Sequence, residues 1–310
     1  MTSTRTSARP AAAEGHFDHR MAVFGSDEAF VAAALPFLAE GLAASDEPPP
    51  VAIAAPGLLA ALRDALGTDA RDVGFIDHTD WYTGTAANAV AQGAGYLAAN
   101  AGPGGRLHLL MEPDWAGRAG RSVRESTEWI RYESLANLLF APFAPFATTA
   151  LCAYDTRTAG PAVVDAARRA HPGTGVYEQP PVLVRELDAV PLPPPPRTFT
   201  RLPAAESVRA WAAGQGLAAA DAELFARAVV AAAGAHGPVV EFLAWGEAPA
   251  CVCELRLCRA VGDPLAGFVP PRDGEPEPGQ GLWFTRQVCA YVDVRDGVPG
   301  DRAKIRVQYA

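Results

Sequence analysis

The stretch PLPPPP, Pro191 to Pro196, constrains the fold of this chain more than any other feature of its sequence. Proline fixes φ and has no backbone N–H, so the run holds an extended polyproline II conformation outside any helix or sheet interior. A chain of 310 residues is also long for one core, because domains usually contain roughly 100 to 200 residues. We therefore predict a stiff linker over residues 190–197, between domains of 16–189 and 198–310, with a flexible tail at residues 1–15.

In the predicted first domain, short apolar runs alternate with runs rich in Ala and Leu. Met21 to Phe24 precedes a helical run from Asp27 to Ala44, and Val51 to Ala54 precedes one from Leu58 to Leu66. Further strands are predicted at Val73–Ile76, Leu107–Met111 and Thr149–Tyr154, and further helices near 85–100 and 122–140. Such alternation predicts a three-layer α/β domain with a mainly parallel sheet.

The predicted second domain begins with two helical runs and continues with two hairpins separated by a long loop. The helical runs are Ala204–Ala213 and Ala219–Ala233, the first hairpin pairs Val239–Trp245 with Cys251–Leu257, and the second turns near residues 296–301. A further helix that ends at Cys289 is predicted between the long loop and the second hairpin. Apolar residues alternate in these strands, as at Val292 and Val294, which indicates that one face of the sheet is buried. We predict a two-layer α/β sandwich with its helices on that face.

Charge and hydropathy exclude several classes of partner. The formal net charge of −9 disfavours binding to nucleic acid and to anionic lipid, both of which attract clustered Lys and Arg. Leu135 to Tyr154 has no charge, but Pro142 and Pro145 indicate a helix end, a turn and a strand rather than a membrane span. The first fifteen residues lack the apolar core of a signal peptide, so we expect a cytoplasmic protein whose partners are proteins and small molecules.

The cysteines and glycines give little support for a metal or phosphate site. The five cysteines are an odd number and are expected to be free thiols. Cys251 and Cys253 share one strand face, and a zinc site with Cys258 is conceivable, but C-x-C-x4-C is not a typical ligand spacing. We predict no metal site. No G-x-x-x-x-G-K-[ST] motif follows a predicted strand, so a P-loop is absent.

Polar and aromatic residues cluster where strands of the first domain end, which is where ligands bind in parallel sheets. Several stretches of this domain resemble the MEDS sensory domain: His19, LPFLAEGLA (35–43), LRDALG (62–67), WY (81–82), EPDW (112–115), YESLANLLFA (132–141), CAYD (152–155) and HP (171–172). The resemblance implies a pocket for a small ligand, to which we assign His19, Trp81, Glu112, Trp115, Glu133, Asn137 and Asp155. The alternative is that these polar groups are buried and satisfy one another.

The order of elements in the second domain, with DPLAG (263–267) and GQGLW (279–283), resembles the histidine-kinase-like ATPase fold of actinobacterial anti-sigma factors. Members of that family are serine kinases that bind sigma factors. The resemblance implies a remnant nucleotide site at Asp263, Gly279 and Gly281, although the two glycines could simply form a helix start.

The same resemblance places alanines where the ATPase chemistry needs polar groups. Ala228 stands at the position of the catalytic base, Ala232 at that of the Mg²⁺ ligand, and Leu257 at that of the adenine-binding Asp. Because phosphotransfer needs both the base and the metal, we expect no kinase activity, no cofactor and at most weak ATP binding.

We therefore expect a non-enzymatic regulator, and the sequence leaves open both a monomer and a homodimer. Its first domain senses an unidentified small molecule, and its second, a pseudo-ATPase, binds a sigma factor or an anti-sigma antagonist. The principal alternative is an active ATP-dependent protein-serine kinase with divergent catalytic residues. A third hypothesis is a first domain with its own enzymatic activity and a second domain that serves for dimerisation.

Overall fold

The computed structural model describes residues 17–45, 47–100, 107–115, 123–140, 148–263, 266–268, 281–296 and 302–309. It contains two five-stranded sheets, one in the N-terminal part (residues 17–189) and one in the C-terminal part (residues 200–309). The predicted α/β class is confirmed. Within the described ranges, no helix combines the length and the apolar character that crossing a membrane requires.

The sheet of the N-terminal part is parallel. Its strands are β1 (Phe17–Phe24), β2 (Val51–Ala54), β3 (Gly74–Asp77), β4 (Leu107–Met111) and β5 (Thr148–Asp155), in the order β1-β5-β4-β2-β3. The helices are α1 (Asp27–Ala43), α2 (Pro56–Leu66), α3 (His78–Trp81), α4 (Ala86–Asn100), α5 (Val123–Phe140), α6 (Pro161–Ala170) and α7 (Pro180–Ala189), and Gly67–Asp72 forms a 3-10 turn. Helices cover both faces of the sheet, as the alternation of elements predicts.

The two faces of this sheet carry separate hydrophobic clusters because side chains alternate along each strand. Leu110 and Leu151 point to the face covered by α1 and α2, where they meet Phe30 and Leu59. Residues with the opposite parity, such as Cys152, point to the face covered by α4, α5 and α6. The candidate functional site lies on this second face.

The sheet of the C-terminal part is antiparallel between all neighbouring strands. Its strands are β6 (Thr200–Leu202), β7 (Val239–Glu247), β8 (Ala250–Leu257), β9 (Tyr291–Arg295) and β10 (Lys304–Tyr309), in the order β6-β7-β8-β10-β9. The helices α8 (Ser207–Gly214), α9 (Ala219–Ala235) and α10 (Gly281–Val288) share one hydrophobic core with β8 and β10. Cys251 and Cys253 are completely buried in this core, whereas Cys258 is exposed, and all five cysteines are free thiols.

Some elements differ from the sequence prediction. β1 begins at Phe17, four residues before the predicted Met21, and α6, α7 and β6 were not predicted at all. Both missed helices begin at a proline, a residue that the first turn of a helix accepts but that also marks turns. Residues 191–196 form neither helix nor strand. The uncharged stretch predicted not to span a membrane contains the end of α5 and most of β5, with residues 141–147 outside the described ranges.

Candidate functional site

A small cavity lies between the parallel sheet and helices α4 and α5. Strand alternation puts Phe17, His19 and Cys152 on this face of the sheet, and Leu97 of α4 and Tyr132 of α5 close the cavity from above. The centre of a water-sized sphere can move within a volume of about 30 Å³ inside this cavity. That volume holds roughly two water molecules or a ligand of a few non-hydrogen atoms. The walls are mainly apolar, so the site favours a small molecule with little polar surface.

The polar side chains His19, Glu133 and Cys152 meet at this cavity. All three are buried, and His19 Nε2 lies 3.3 Å from Cys152 Sγ. Burial, together with the nearby Glu133 carboxylate, holds the pKa of the Cys152 thiol well above its ordinary value. The thiol is therefore protonated at neutral pH and donates to the imidazole.

Asn137 fixes the orientation of the His19 ring. Its amide nitrogen Nδ2 donates to the carbonyl oxygen of Ala170 at 2.7 Å, which identifies its Oδ1 as the acceptor on the other side. Oδ1 lies 3.1 Å from His19 Nδ1, so the ring proton is on Nδ1. The Nε2 lone pair of His19 consequently points towards Cys152 Sγ.

His171 lies beside His19, and its Nδ1 also faces an oxygen acceptor. The two ring centroids are 3.8 Å apart, and His171 Nδ1 donates to the Ala167 carbonyl oxygen at 2.7 Å. The second nitrogen of His171, Nε2, is buried and has no hydrogen-bond partner. Burial lowers the pKa of His171 to about 4, and burial followed by the charge of His171 lowers that of His19 well below its ordinary value. Both rings are therefore neutral at pH 7.

His19, Glu133, Cys152 and His171 form a cluster of four donor groups. One donor atom from each of them lies within 4.8 Å of the others, and all four residues are buried. In the part of the chain that the structure describes, this is the one group of three or more His, Cys, Asp or Glu residues close enough to share a metal ion. The cluster offers two imidazole nitrogens, a thiol and a carboxylate, a donor set typical of sites for zinc-like cations.

The structure places four of the seven predicted pocket residues at this site. His19, Trp81 and Glu133 line the cavity, and Asn137 holds His19 in place. Trp81 is almost completely buried and packs edge-on against Tyr96 of α4, so it forms part of the apolar wall.

The other three predicted residues lie outside the cavity. Glu112 Oε2 accepts from His78 Nδ1 at 2.7 Å and from the Ala55 N–H at 3.0 Å, and thereby joins the ends of β2, β3 and β4. Trp115 is buried and stacks on Tyr154 at 6.4 Å.

The third of these residues, Asp155, accepts hydrogen bonds from the Arg157 guanidinium at 2.7 to 3.0 Å. Asp155 therefore organises the turn after β5. It also illustrates that a carboxylate at the end of a strand often serves the chain itself rather than a ligand.

Cys152 and His171 belong to the site but are not among the predicted pocket residues. Both stand in stretches that resemble the sensory domain, CAYD and HP, and that resemblance was the available signal. His171 directly follows α6, a helix that the sequence pattern did not reveal.

The predicted nucleotide remnant has a different setting. Gly281 is the first residue of α10, and a Cβ atom there would lie 2.7 Å from the Ala231 carbonyl oxygen of α9. Ala228, Ala232 and Leu257 are completely buried in the core with Leu282. Asp263 follows β8 in a groove that Arg295 also lines, and Gly279 lies outside the described residues.

Comparison with known proteins bears on the N-terminal part. The family model of the MEDS domain, described as the methanogen/methylotroph, DcmR sensory domain, matches residues 18–172. Neither a curated protein nor a solved structure matches the chain. The matched region is half of the 310 residues and includes all four members of the buried cluster. The chain therefore belongs to the MEDS sensory-domain family, and its role is sensory or regulatory.

Proposed function

We propose that this chain is a regulatory protein of the anti-sigma type, built from two domains. Its N-terminal domain binds a small, mainly apolar molecule in the cavity beside His19, Glu133 and Cys152. Its C-terminal domain binds a sigma factor or an anti-sigma antagonist, with an affinity that depends on whether the cavity is filled. The observation that carries this proposal is that the helices lining the cavity also contact the C-terminal part.

Helix α4 makes the first of these connections. Gly93 and Leu97 of α4 line the cavity. Near the start of the same helix, Asn88 Nδ2 donates to Gln287 Oε1 of α10 at 2.7 Å, and Gln287 Nε2 donates back to the Ala87 carbonyl oxygen at 3.3 Å. A shift of α4 on ligand binding would therefore move the start of that helix against α10.

Helix α5 makes the second connection. Glu133 and Ala136 of α5 line the cavity, and the neighbouring Arg131 Nη1 lies 2.9 Å from Asp188 Oδ1. The same carboxylate oxygen lies 3.1 Å from Arg295 Nη1 of β9 in the C-terminal sheet. One ion-pair network thus joins a cavity-lining helix to the sheet that we propose presents the partner-binding surface.

Two observations support the proposed kind of partner. One is the resemblance of DPLAG and GQGLW to anti-sigma factors, and the other is the burial of the residues that stand at the catalytic and nucleotide-binding positions. Ala228, Ala232 and Leu257 contribute only apolar surface to a closed core. This supports a pseudo-ATPase domain that binds proteins without transferring phosphate. We also propose that the domain needs no nucleotide.

The ligand half of the proposal is tested by thermal unfolding of the full chain with alcohols and thiols of one to four carbons. A ligand at 100 times its Kd stabilises the folded state by about 2.7 kcal/mol, so one or more members of this series should raise Tm. Ala136→Leu fills the cavity and should abolish the rise, whereas Ala99→Leu, on the exposed face of α4, should leave it intact. An equal rise in the wild type and Ala136→Leu would contradict the cavity as the binding site.

The partner half is tested by cross-linking in the native cell, followed by calorimetric titration of the purified chain with the captured sigma factor or antagonist. The stabilising alcohol or thiol should change the Kd at least about fivefold, the lower end of usual allosteric couplings. An unchanged Kd would contradict the sensory coupling. Incorporation of phosphate from Mg-ATP into the antagonist would instead support the active-kinase alternative.

A further inference from the structure

We infer that His19, Glu133, Cys152 and His171 form a binding site for a divalent transition metal, most favourably Zn²⁺. The inference deepens the proposed function, on which it rests, because it assigns a chemical class of ligand to the polar end of the same cavity. The sequence pattern predicts no metal site, because the four residues lie far apart along the chain and match no ligand-spacing motif.

The distances fit a tetrahedral ion. Bond lengths of about 2.0 to 2.3 Å from zinc to His, Cys and carboxylate ligands require roughly 3.3 to 3.8 Å between the donor atoms. His19 Nε2 and Cys152 Sγ are already 3.3 Å apart, and no pair among the four donors exceeds 4.8 Å. The widest separation has to shorten by about 1 Å, which side-chain rotation can supply.

The orientation of both imidazole rings also supports a metal site. Oxygen acceptors hold Nδ1 of each ring: the Asn137 side chain holds that of His19, and the Ala167 carbonyl holds that of His171. Metal-binding histidines characteristically donate their remote N–H to such an oxygen, which directs the lone pair of the other nitrogen at the ion. His171 Nε2 has no protein partner although it is buried. A metal ion would satisfy it.

The donor set selects the class of metal. Two imidazoles and a thiolate suit Zn²⁺, Co²⁺ or Cu²⁺ and are poor ligands for Mg²⁺ or Ca²⁺, which prefer oxygen. On binding, the Cys152 thiol loses its proton to solvent and the thiolate coordinates the ion, with no change of oxidation state. The site also borders the cavity at three of its four residues, so a ligand there could donate an atom to the metal.

The test is titration of the chelator-treated full chain with Co²⁺, followed by displacement with Zn²⁺. We expect one equivalent to bind, with the visible bands of tetrahedral cobalt and a near-ultraviolet thiolate-to-cobalt absorption that Zn²⁺ abolishes. Cys152→Ser should remove the thiolate absorption, and Cys258→Ser, at an exposed cysteine, should leave it unchanged. Binding of no cobalt, or an identical spectrum in Cys152→Ser, would overturn the inference.

Asn137 provides a second test that is independent of the ligands themselves. Asn137→Ala removes the acceptor of the His19 N–H and should weaken cobalt binding about 10- to 100-fold while leaving the thiolate absorption in place at saturation. Asn137→Asp restores an acceptor and should recover most of the affinity. If both variants have circular dichroism like that of the wild type and bind cobalt as tightly as it does, the proposed orientation of His19 is wrong.

Failure of the metal site and failure of the sensory function can be told apart. Chelated protein whose Tm still rises with the small alcohols or thiols retains its cavity function, and the absence of cobalt binding then refutes the metal alone. Stoichiometric cobalt binding that leaves the Kd for the protein partner unchanged supports the metal site and counts against metal-dependent sensing.

Discussion

At the scale of single residues, buried polar groups in this protein have two kinds of role. His19, Glu133 and Cys152 face a cavity, whereas Glu112 and Asp155 are engaged by groups of the chain itself. Glu112 and Asp155 stand at the ends of β4 and β5, whereas Glu133 lies on α5. Glu112 and Asp155 accept hydrogen bonds from neighbouring N–H and guanidinium groups at those strand ends, while Glu133 borders the cavity.

The pair His78–Glu112 gives a prediction at this scale. Burial by itself lowers the pKa of His78, but the hydrogen bond to Glu112 and the charges of Glu112 and Asp114 outweigh it, so the pKa lies above its ordinary value. A group with a raised pKa in the folded state stabilises the fold fully below its unfolded pKa of about 6.5. That contribution is lost as the pH rises through the folded pKa.

His78→Gln should therefore lower the free energy of unfolding by about 1.5 to 3 kcal/mol at pH 6, the usual value of a hydrogen bond to a charged group. The difference from the wild type should shrink as the pH is raised to 8. Urea unfolding of both proteins at the two pH values measures it. A difference that stays constant with pH would show that His78 acts by packing alone.

At the scale of elements, helix α10 is held by direct contact with α9. Thr285 Oγ1 donates to the Ala228 carbonyl oxygen at 2.8 Å, and Gly281 allows the two helices to approach closely. Helix packing therefore explains why Gly281, the second glycine of GQGLW, is a glycine, and no bound phosphate is needed to explain it. The half-buried Trp283 contributes less to the core than the completely buried Leu282.

Gly281→Ala tests this packing. The new Cβ atom would lie 2.7 Å from the Ala231 carbonyl oxygen and 3.1 Å from Ala235 Cβ, so α10 has to move away from α9. We expect a loss of about 1 to 3 kcal/mol in the free energy of unfolding. The matched control is Gly234→Ala on α9, where nothing lies within 4 Å of the added atom and Ala should stabilise by up to about 1 kcal/mol. Equal effects of the two substitutions in denaturant unfolding would refute the close approach.

At the scale of the whole molecule, Asp188 joins three elements. Asp188 belongs to α7, and its carboxylate contacts Arg131 of α5 and Arg295 of β9. Arg131 is buried, and Glu128 at 3.7 Å is its other ion-pair partner among the described residues. Removal of the Asp188 carboxylate would therefore leave a buried guanidinium poorly compensated.

Asp188→Ala should lower the free energy of unfolding by about 1 to 3 kcal/mol, less than for a fully buried pair because the Asp188 side chain is 34% exposed. It should also separate the melting of the N-terminal and C-terminal parts in differential scanning calorimetry. Asp165→Ala, which removes a surface ion pair on α6, should change stability by no more than about 0.5 kcal/mol. Indistinguishable calorimetric traces for the two variants would contradict the proposed bridge.

The local features of the sequence determined the two sheets, most helices and the absence of helix and strand in residues 191–196. Hydrophobic alternation with period 2 or 3.6 is a property of neighbouring residues, and it predicted β2, β4, β5 and the hairpins of the C-terminal sheet. The short helices α6 and α7 escaped because their prolines are ambiguous between helix starts and turns. The stretches that resemble the sensory domain already contained every member of the buried cluster.

Only the tertiary structure decided which of those residues work together. The parallel register that pairs His19 with Ala150 places its ring next to Cys152, and the rotation of α5 turns Glu133 and Asn137 towards the same point. His171 joins them from the end of α6. Strand register and helix orientation result from packing between elements that are separated along the chain, and no periodicity along the chain encodes them. The sequence therefore indicated a sensory domain, and the packing of β1, β5, α5 and α6 assembled its buried cluster.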